Sequence, residues 1–226
     1  MPGRNIALVN ENYYHVLNRG VASQKVFNCE KDYYQFIDRI NYYRNNNLPM
    51  GFAQLMDLPL RIKRDLLNKI EIKKDFLVDI IAFCLMPNHF HLLLKQNMTN
   101  GISRFLSNLS NSFTRYYNVK HKRAGTLLQG RFKAILVKSD EQLVHLSRYI
   151  HSNPYSAGLV ETLFELKEYP YSSLAEFTSD RKGFCKPDIV IGQFADKNAY
   201  WHFVGDQADY QQSLEIIKKL ALESRD

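Results

Sequence analysis

The sequence predicts an α+β protein with a mainly antiparallel sheet and helices on one face. Short β-rich apolar segments alternate with longer segments in which apolar residues recur at helical spacing. Two of the apolar segments are separated only by a Pro-Asn turn, which indicates a hairpin and therefore antiparallel pairing. Hydrophobic residues make up 45% of the 226 residues, which is sufficient for a sizeable core.

The predicted elements follow in the order strand, helix, strand, strand, helix, strand, helix. The strands are expected at residues 13–17, 76–85, 89–95 and 131–137, and the helices at residues 30–45, 100–117 and 141–153. Residues 58–74 are charged and amphipathic and form a further helix or a helical insertion. The last core helix is expected to have Asp140 as its N-cap and to stop near Pro154.

Two domains are expected, residues 1–175 as the main one and residues 176–226 as a C-terminal helical extension. The extension has a loop-like start and a helical pattern at residues 211–222. Its role does not follow from the residues.

Composition narrows the classes of function. The net charge of +7 favours a polyanionic partner such as nucleic acid. Three widely separated cysteines without a C-x-x-C pair argue against a zinc finger and a disulfide framework, as is typical of the cytosol. No run of 18 apolar residues predicts a membrane span, and no apolar signal-peptide region is found. We therefore expect a cytoplasmic protein without membrane contact.

Two histidines at the start of an apolar strand are the clearest candidate for chemistry. In the segment MPNHFHLLL, His89 and His91 are separated by one apolar residue. Alternate side chains of a strand point to the same face, so the imidazoles project together and Phe90 points into a core. Such a pair makes half of a divalent-metal site. It fits equally well the polar face of an ordinary amphipathic strand, and the spacing alone leaves both interpretations open.

Tyr149 and Asn153 form a second candidate pair on the last core helix. They lie four residues apart, about one helical turn, and therefore share a face beside the apolar stripe of the helix. A tyrosine at the rim of the sheet could attack phosphorus, and Asn153 offers a carbonyl oxygen to a metal. The alternative is that Tyr149 is an aromatic residue at the edge of the core and Asn153 caps the helix before Pro154.

Several motifs in a fixed order resemble one family. These are YHVLNRG from Tyr14, MPNHFHLLL, RYIHSNPYSAGLV from Arg148, and YPYSSL from Tyr169. Together they are similar to the REP-associated tyrosine transposases, which are single-tyrosine members of the HUH superfamily (IS200-like transposases). The resemblance covers roughly residues 12 to 176. The segment between residues 45 and 74 is longer than the family's usual spacing.

The resemblance implies a ferredoxin-like α+β core, often dimeric, that cuts and rejoins single-stranded DNA. The family's metal-binding histidines fall on His89 and His91, which would bind Mg²⁺ or Mn²⁺. The family's nucleophile falls on Tyr149 and its third, helix-borne ligand on Asn153, where related enzymes use Gln. Attack by the tyrosine would give a covalent 5′-phosphotyrosine link, and a homodimer is among the expected assemblies.

The expected partner is single-stranded DNA that forms a hairpin. Arg19, Arg131 and Lys133 are the candidate phosphate contacts, of which Arg19 follows the first predicted strand and Arg131 stands at the start of the last one. Two other functions stay open: a hairpin-DNA-binding module without turnover, and a nickase like the rolling-circle replication initiators. A zinc hydrolase is disfavoured, because the sequence has no H-E-x-x-H motif.

Overall fold

The computed structural model describes residues 7–206, and the helix expected at residues 211–222 lies outside them. The described residues form a four-stranded antiparallel sheet in the order β2-β3-β1-β4. The strands are β1 (Tyr13–Arg19), β2 (Val78–Met86), β3 (His89–Gln96) and β4 (Lys133–Leu136). The predicted α+β class and antiparallel pairing are confirmed.

The helices of the described residues lie close to the predicted ranges, with several short additions. They are α1 (Glu30–Tyr43), α2 (Phe52–Asp57), α3 (Leu60–Lys73), α4 (Gly101–Lys120), α5 (Asp140–Ser156), α6 (Leu163–Lys167), α7 (Leu174–Thr178), α8 (Asp188–Ile191) and α9 (Lys197–Gly205). The N-cap of α5 is Ser139, not Asp140, and its hydroxyl accepts a hydrogen bond from the Gln142 amide. The helix also continues past Pro154, which lies in its last turn.

The sheet is covered on both faces, which corrects the expectation of helices on one face. α1 and α4 pack on one face, where Phe36 contacts the rings of Phe90 and Phe113. α5 packs on the opposite face, where Ile150 joins Leu93 in a second core. Every residue of β2 is buried, as is usual for a strand with two covered faces.

Residues beyond 175 contribute to the second core. Phe177 of α7, Val190 of α8 and Tyr200 of α9 are fully buried there together with Ile150 of α5. The boundary expected at residue 175 stays a prediction, but the described part of the extension packs directly on the helix that carries Tyr149.

The lengthened segment before β2 forms α2 and α3. No residue of α3 is buried, so this helix lies on the outside, where Arg44 pairs with Glu71. Within residues 7–206, no helix is both long and apolar enough to cross a membrane.

Candidate active site

His89 and His91 lie on the same face of β3, as their spacing predicts. The Phe90 side chain between them is fully buried on the α1 and α4 side of the sheet. The two imidazole rings meet edge to face, with 4.9 Å between their centroids and 82° between their planes. The antiparallel register sets Leu17 of β1 opposite His91 and Arg19 opposite His89. Both imidazoles therefore lie on the face that α5 covers.

The ring orientation of His89 is fixed by the turn that precedes it. The Nδ1 atom of His89 lies 2.6 Å from the side-chain oxygen Oδ1 of Asn88. A carboxamide oxygen can only accept, so the Nδ1–H of His89 donates this bond and Nε2 keeps its lone pair. A metal-ligating histidine is commonly oriented in this way through its other nitrogen.

The Nδ1 atom of His91 also has a hydrogen-bond partner, a residue that the sequence analysis did not identify as part of the site. This Nδ1 lies 2.9 Å from Nε2 of His15, which is buried on the neighbouring strand β1. The two rings are stacked, with centroids 5.1 Å apart and an interplanar angle of 18°. His15 occupies an alternate position of β1 on the histidine face, and the register of β1 against β3 brings it to His91.

The three histidines are neutral near neutral pH. Burial lowers the pKa of His89 to about 4, with a further contribution from the charge of Arg19. Burial likewise lowers the pKa of His15 to about 4 and holds the pKa of His91 well below 6.5. Neutral imidazole is the form that binds metal ions, so the environment keeps these side chains ready to act as ligands.

α5 brings Tyr149 and Asn153 to the same cluster. The Tyr149 ring lies edge to face with His91 and with His15, at centroid distances of 5.7 and 6.2 Å. One turn later, the Asn153 carboxamide nitrogen Nδ2 lies 3.5 Å from Nε2 of His91, a long contact. Both side chains face the sheet because Ile150, between them, is buried in the second core.

Two imidazoles and one carboxamide make a donor set that fits Mg²⁺ or Mn²⁺. Among residues 7–206, no three His, Cys, Asp or Glu side chains are arranged to hold a metal ion, so a site here needs Asn153. Asn153 has its Nδ2 toward His91, and a 180° turn of the carboxamide brings its acceptor Oδ1 to that place. His89, His91 and Asn153 would then supply three ligands and leave the other positions open.

The predicted basic residues divide between two places. Arg19 and Lys133 are exposed, and the register of β1 with its two neighbours puts both on the histidine face. Arg131 instead lines a groove beside α4, together with Asn18, Ser107 and Thr114. Arg19 is therefore next to the histidine cluster, where its charge acts on His89 and His91, Lys133 lies on the same face one strand further away, and Arg131 lies apart from the cluster.

His151 and His145 have different environments, although both are on α5. His145 is half-exposed and contacts Arg148. His151 is fully buried because its face of α5 packs on α7 and α9. Its Nδ1 lies 2.7 Å from the Tyr200 hydroxyl and its Nε2 lies 2.8 Å from the Ser173 hydroxyl. A polar residue between buried helix positions is the sequence signal from which the burial of His151 could have been predicted.

Part of the chain is similar to proteins of a known family. Residues 61–153 match the family model described as "Transposase IS200 like". Over 106 residues the chain is 32% identical to a Haemophilus influenzae (strain ATCC 51907 / DSM 11121 / KW20 / Rd) protein named as a REP-associated tyrosine transposase. That alignment covers 42% of this chain and 58% of the relative, so the chain spans little more than half of the relative's length.

The fold is also similar to a solved structure, that of a REP-associated tyrosine transposase bound to a REP hairpin. The TM-score is 0.53 at 16% sequence identity, and the match covers 83% of this chain and 90% of the other. At this identity the likeness concerns the fold. The family match and the relative show that the chain is similar to IS200-like transposases over part of its length.

Proposed function

We propose that this protein cuts and rejoins single-stranded DNA at hairpin-forming sites through a covalent 5′-phosphotyrosine link at Tyr149. The observation that carries the proposal is the convergence of four side chains from two separate elements. His89 and His91 come from β3, and Tyr149 and Asn153 come from α5. A tyrosine ring packed against the neutral imidazole of His91, which in turn contacts His89, matches the needs of phosphoryl transfer by an amino-acid nucleophile.

The roles of the side chains follow from their chemistry. His89, His91 and Asn153 would hold Mg²⁺ or Mn²⁺, which when bound supplies positive charge to a non-bridging oxygen of the scissile phosphate and positions it. The Tyr149 oxygen forms a bond to phosphorus as it loses its proton, and the bond to the 3′ oxygen breaks as that oxygen gains one. One phosphodiester replaces another, so attack by a 3′-hydroxyl on the phosphotyrosine rejoins the strand without ATP.

Basic and polar surfaces beside the cluster support a DNA substrate. Arg19 and Lys133 are exposed on the histidine face and would contact phosphates that flank the scissile bond. Arg131 would contact phosphates along the groove beside α4. α4 contains no Asp or Glu in its 20 residues, so its exposed Ser, Asn and Arg side chains present no repulsive charge to a nucleic acid. The structural relative bound to a REP hairpin supports hairpin DNA as the substrate class.

The test is to capture the covalent intermediate. The protein is incubated with Mn²⁺ and a pool of labelled single-stranded hairpins, and adducts are resolved on a denaturing gel and sequenced. Tyr149→Phe should abolish the adduct and leave hairpin binding unchanged, because only the attacking oxygen is removed. Tyr155→Phe, on the same helix, is the matched control and should retain the adduct.

The outcomes separate the candidate functions. An undiminished adduct in Tyr149→Phe would overturn the assignment of the nucleophile. Hairpin binding without any adduct in the unmodified protein would instead identify a binding module without turnover.

A further inference from the structure

We propose that His15 is a positioning residue for the metal site, whose Nε2 accepts the Nδ1–H of His91 and thereby keeps the lone pair of His91 on Nε2. This inference rests on the proposed function, because it assigns His91 as a metal ligand. No motif match assigns this role to His15, which enters the site only through the pairing of β1 with β3.

The hydrogen bond can run in only two directions, and only one leaves His91 able to bind a metal at Nε2. If Nε2–H of His15 donates, neutral His91 carries its proton on Nε2 and has no lone pair there. If Nδ1–H of His91 donates, the lone pair lies on Nε2, the atom nearest Asn153.

The surroundings hold the two rings in this relation. His15 is 6% exposed and His91 is 5% exposed, so water has little access to compete for the 2.9 Å bond between them. Stacking of the rings at 18° fixes their planes, and the edge of Tyr149 closes the cluster against both. His89 has the same arrangement with Asn88 as its acceptor, so each proposed ligand has its own partner for Nδ1–H.

The first measurement uses the unmodified protein without metal. Long-range ¹H–¹⁵N correlation spectra of the histidine rings report which nitrogen carries the proton. We expect His91 and His89 to be protonated on Nδ1. A His91 ring protonated on Nε2 would overturn the proposal directly and does not depend on any variant being folded.

The second measurement compares Mn²⁺ affinity by electron paramagnetic resonance. His15→Leu removes the acceptor and should weaken Mn²⁺ binding by about 10- to 100-fold, the usual effect of losing a partner that orients a ligand. His15→Gln should restore much of the affinity, because its Oε1 is as many bonds from the backbone as Nε2 of histidine and can only accept. His145→Leu, a half-exposed histidine on α5, is the control and should bind Mn²⁺ normally.

Failure of this inference and failure of the proposed function give different results. Equal affinity in the unmodified protein and in His15→Leu would overturn the positioning role alone. Absence of Mn²⁺ binding in the unmodified protein would overturn the metal site itself and the inference with it. Equal losses in His15→Leu and His15→Gln would show that packing, not acceptance of the Nδ1–H, is the contribution of His15.

Discussion

At the scale of single residues, the histidines show that partner atoms decide what an imidazole can do. His89 has a carboxamide oxygen on Nδ1 and therefore a free lone pair on Nε2. His151 has hydroxyl partners on both nitrogens and is committed to the core. His145 lies half-exposed beside Arg148. The sequence offers the same side chain at all three positions, and only the surrounding contacts distinguish a candidate ligand from a structural residue.

The pair on β3 gives a residue-scale prediction. Replacing His89→Ala and His91→Ala together should reduce Mn²⁺-dependent adduct formation by about 100-fold or more, because metal stabilisation of the charge on phosphate contributes several kcal/mol. The measurement is the rate of adduct formation on a labelled hairpin across a Mn²⁺ titration. His145→Ala serves as the control. A double variant that still responds to Mn²⁺ as the unmodified protein does would rule out this site.

At the scale of elements, a buried ionic cluster holds α1 against α4. Asp32 of α1 is fully buried, and its Oδ1 accepts from Lys120 at 2.6 Å and from Tyr116 at 3.1 Å, both on α4. Its Oδ2 accepts from the Asn28 amide and lies 3.2 Å from His121. Burial raises the pKa of Asp32, but the hydrogen bonds from Lys120, Asn28 and Tyr116 outweigh it, and the pKa lies below 3.8.

This cluster predicts a pH-dependent difference in stability. Asp32→Asn should lower the free energy of unfolding by about 2 kcal/mol at neutral pH, because the charged hydrogen bonds are lost. The folded-state pKa of Asp32 is depressed, so its contribution is present above the unfolded value of 3.8 and is lost as the pH falls through the folded value. The difference between the two proteins should therefore shrink in acid.

Denaturant titrations of both proteins, from neutral pH down to the lowest pH at which both are folded, measure this difference. Asp180→Asn is the matched control, because the pair of Asp180 with Lys197 is exposed and its loss should have little effect on stability. A difference that stays constant or grows as the pH falls would contradict the assignment of the cluster.

At the scale of the whole molecule, local sequence patterns predicted the helices and strands, whereas contacts between residues far apart in the sequence determine which side chains meet in the site and in the core. Alternation placed His89 and His91 on one face, and four-residue spacing placed Tyr149 with Asn153. The role of His15 could not be predicted, because it depends on the register between strands separated by some 70 residues along the chain. The burial of His151 likewise depends on Tyr200. The unbroken apolar run of β2 indicates a strand that is buried on both faces of the sheet. The prediction of helices on one face did not take this run into account.

A buried hydrogen-bond network joins the sheet to the C-terminal helices through α5. The Phe83 amide of β2 donates to the Ser173 hydroxyl, which lies 2.8 Å from Nε2 of His151. On the other side of the imidazole, Nδ1 contacts the Tyr200 hydroxyl, which donates to the Ser147 hydroxyl. Because Tyr200 donates to Ser147, it accepts from His151 Nδ1–H, and Nε2 of His151 then accepts from Ser173. Every donor and acceptor of this network is thus paired. The network fixes the rotation of α5, the helix that presents Tyr149.

Tyr200→Phe tests whether the region beyond residue 175 stabilises α5, the helix that carries Tyr149. Removing the hydroxyl leaves the buried Nδ1–H of His151 without its acceptor, which should lower the free energy of unfolding by about 1–3 kcal/mol. Denaturant titration measures this loss, and Tyr34→Phe, with a half-exposed ring on α1, is the control. Amide hydrogen exchange should also rise in α5 more than in α4, because α4 packs on the opposite face of the sheet. Unchanged stability and unchanged exchange in α5 would mean that the residues before 175 hold Tyr149 in place without α9.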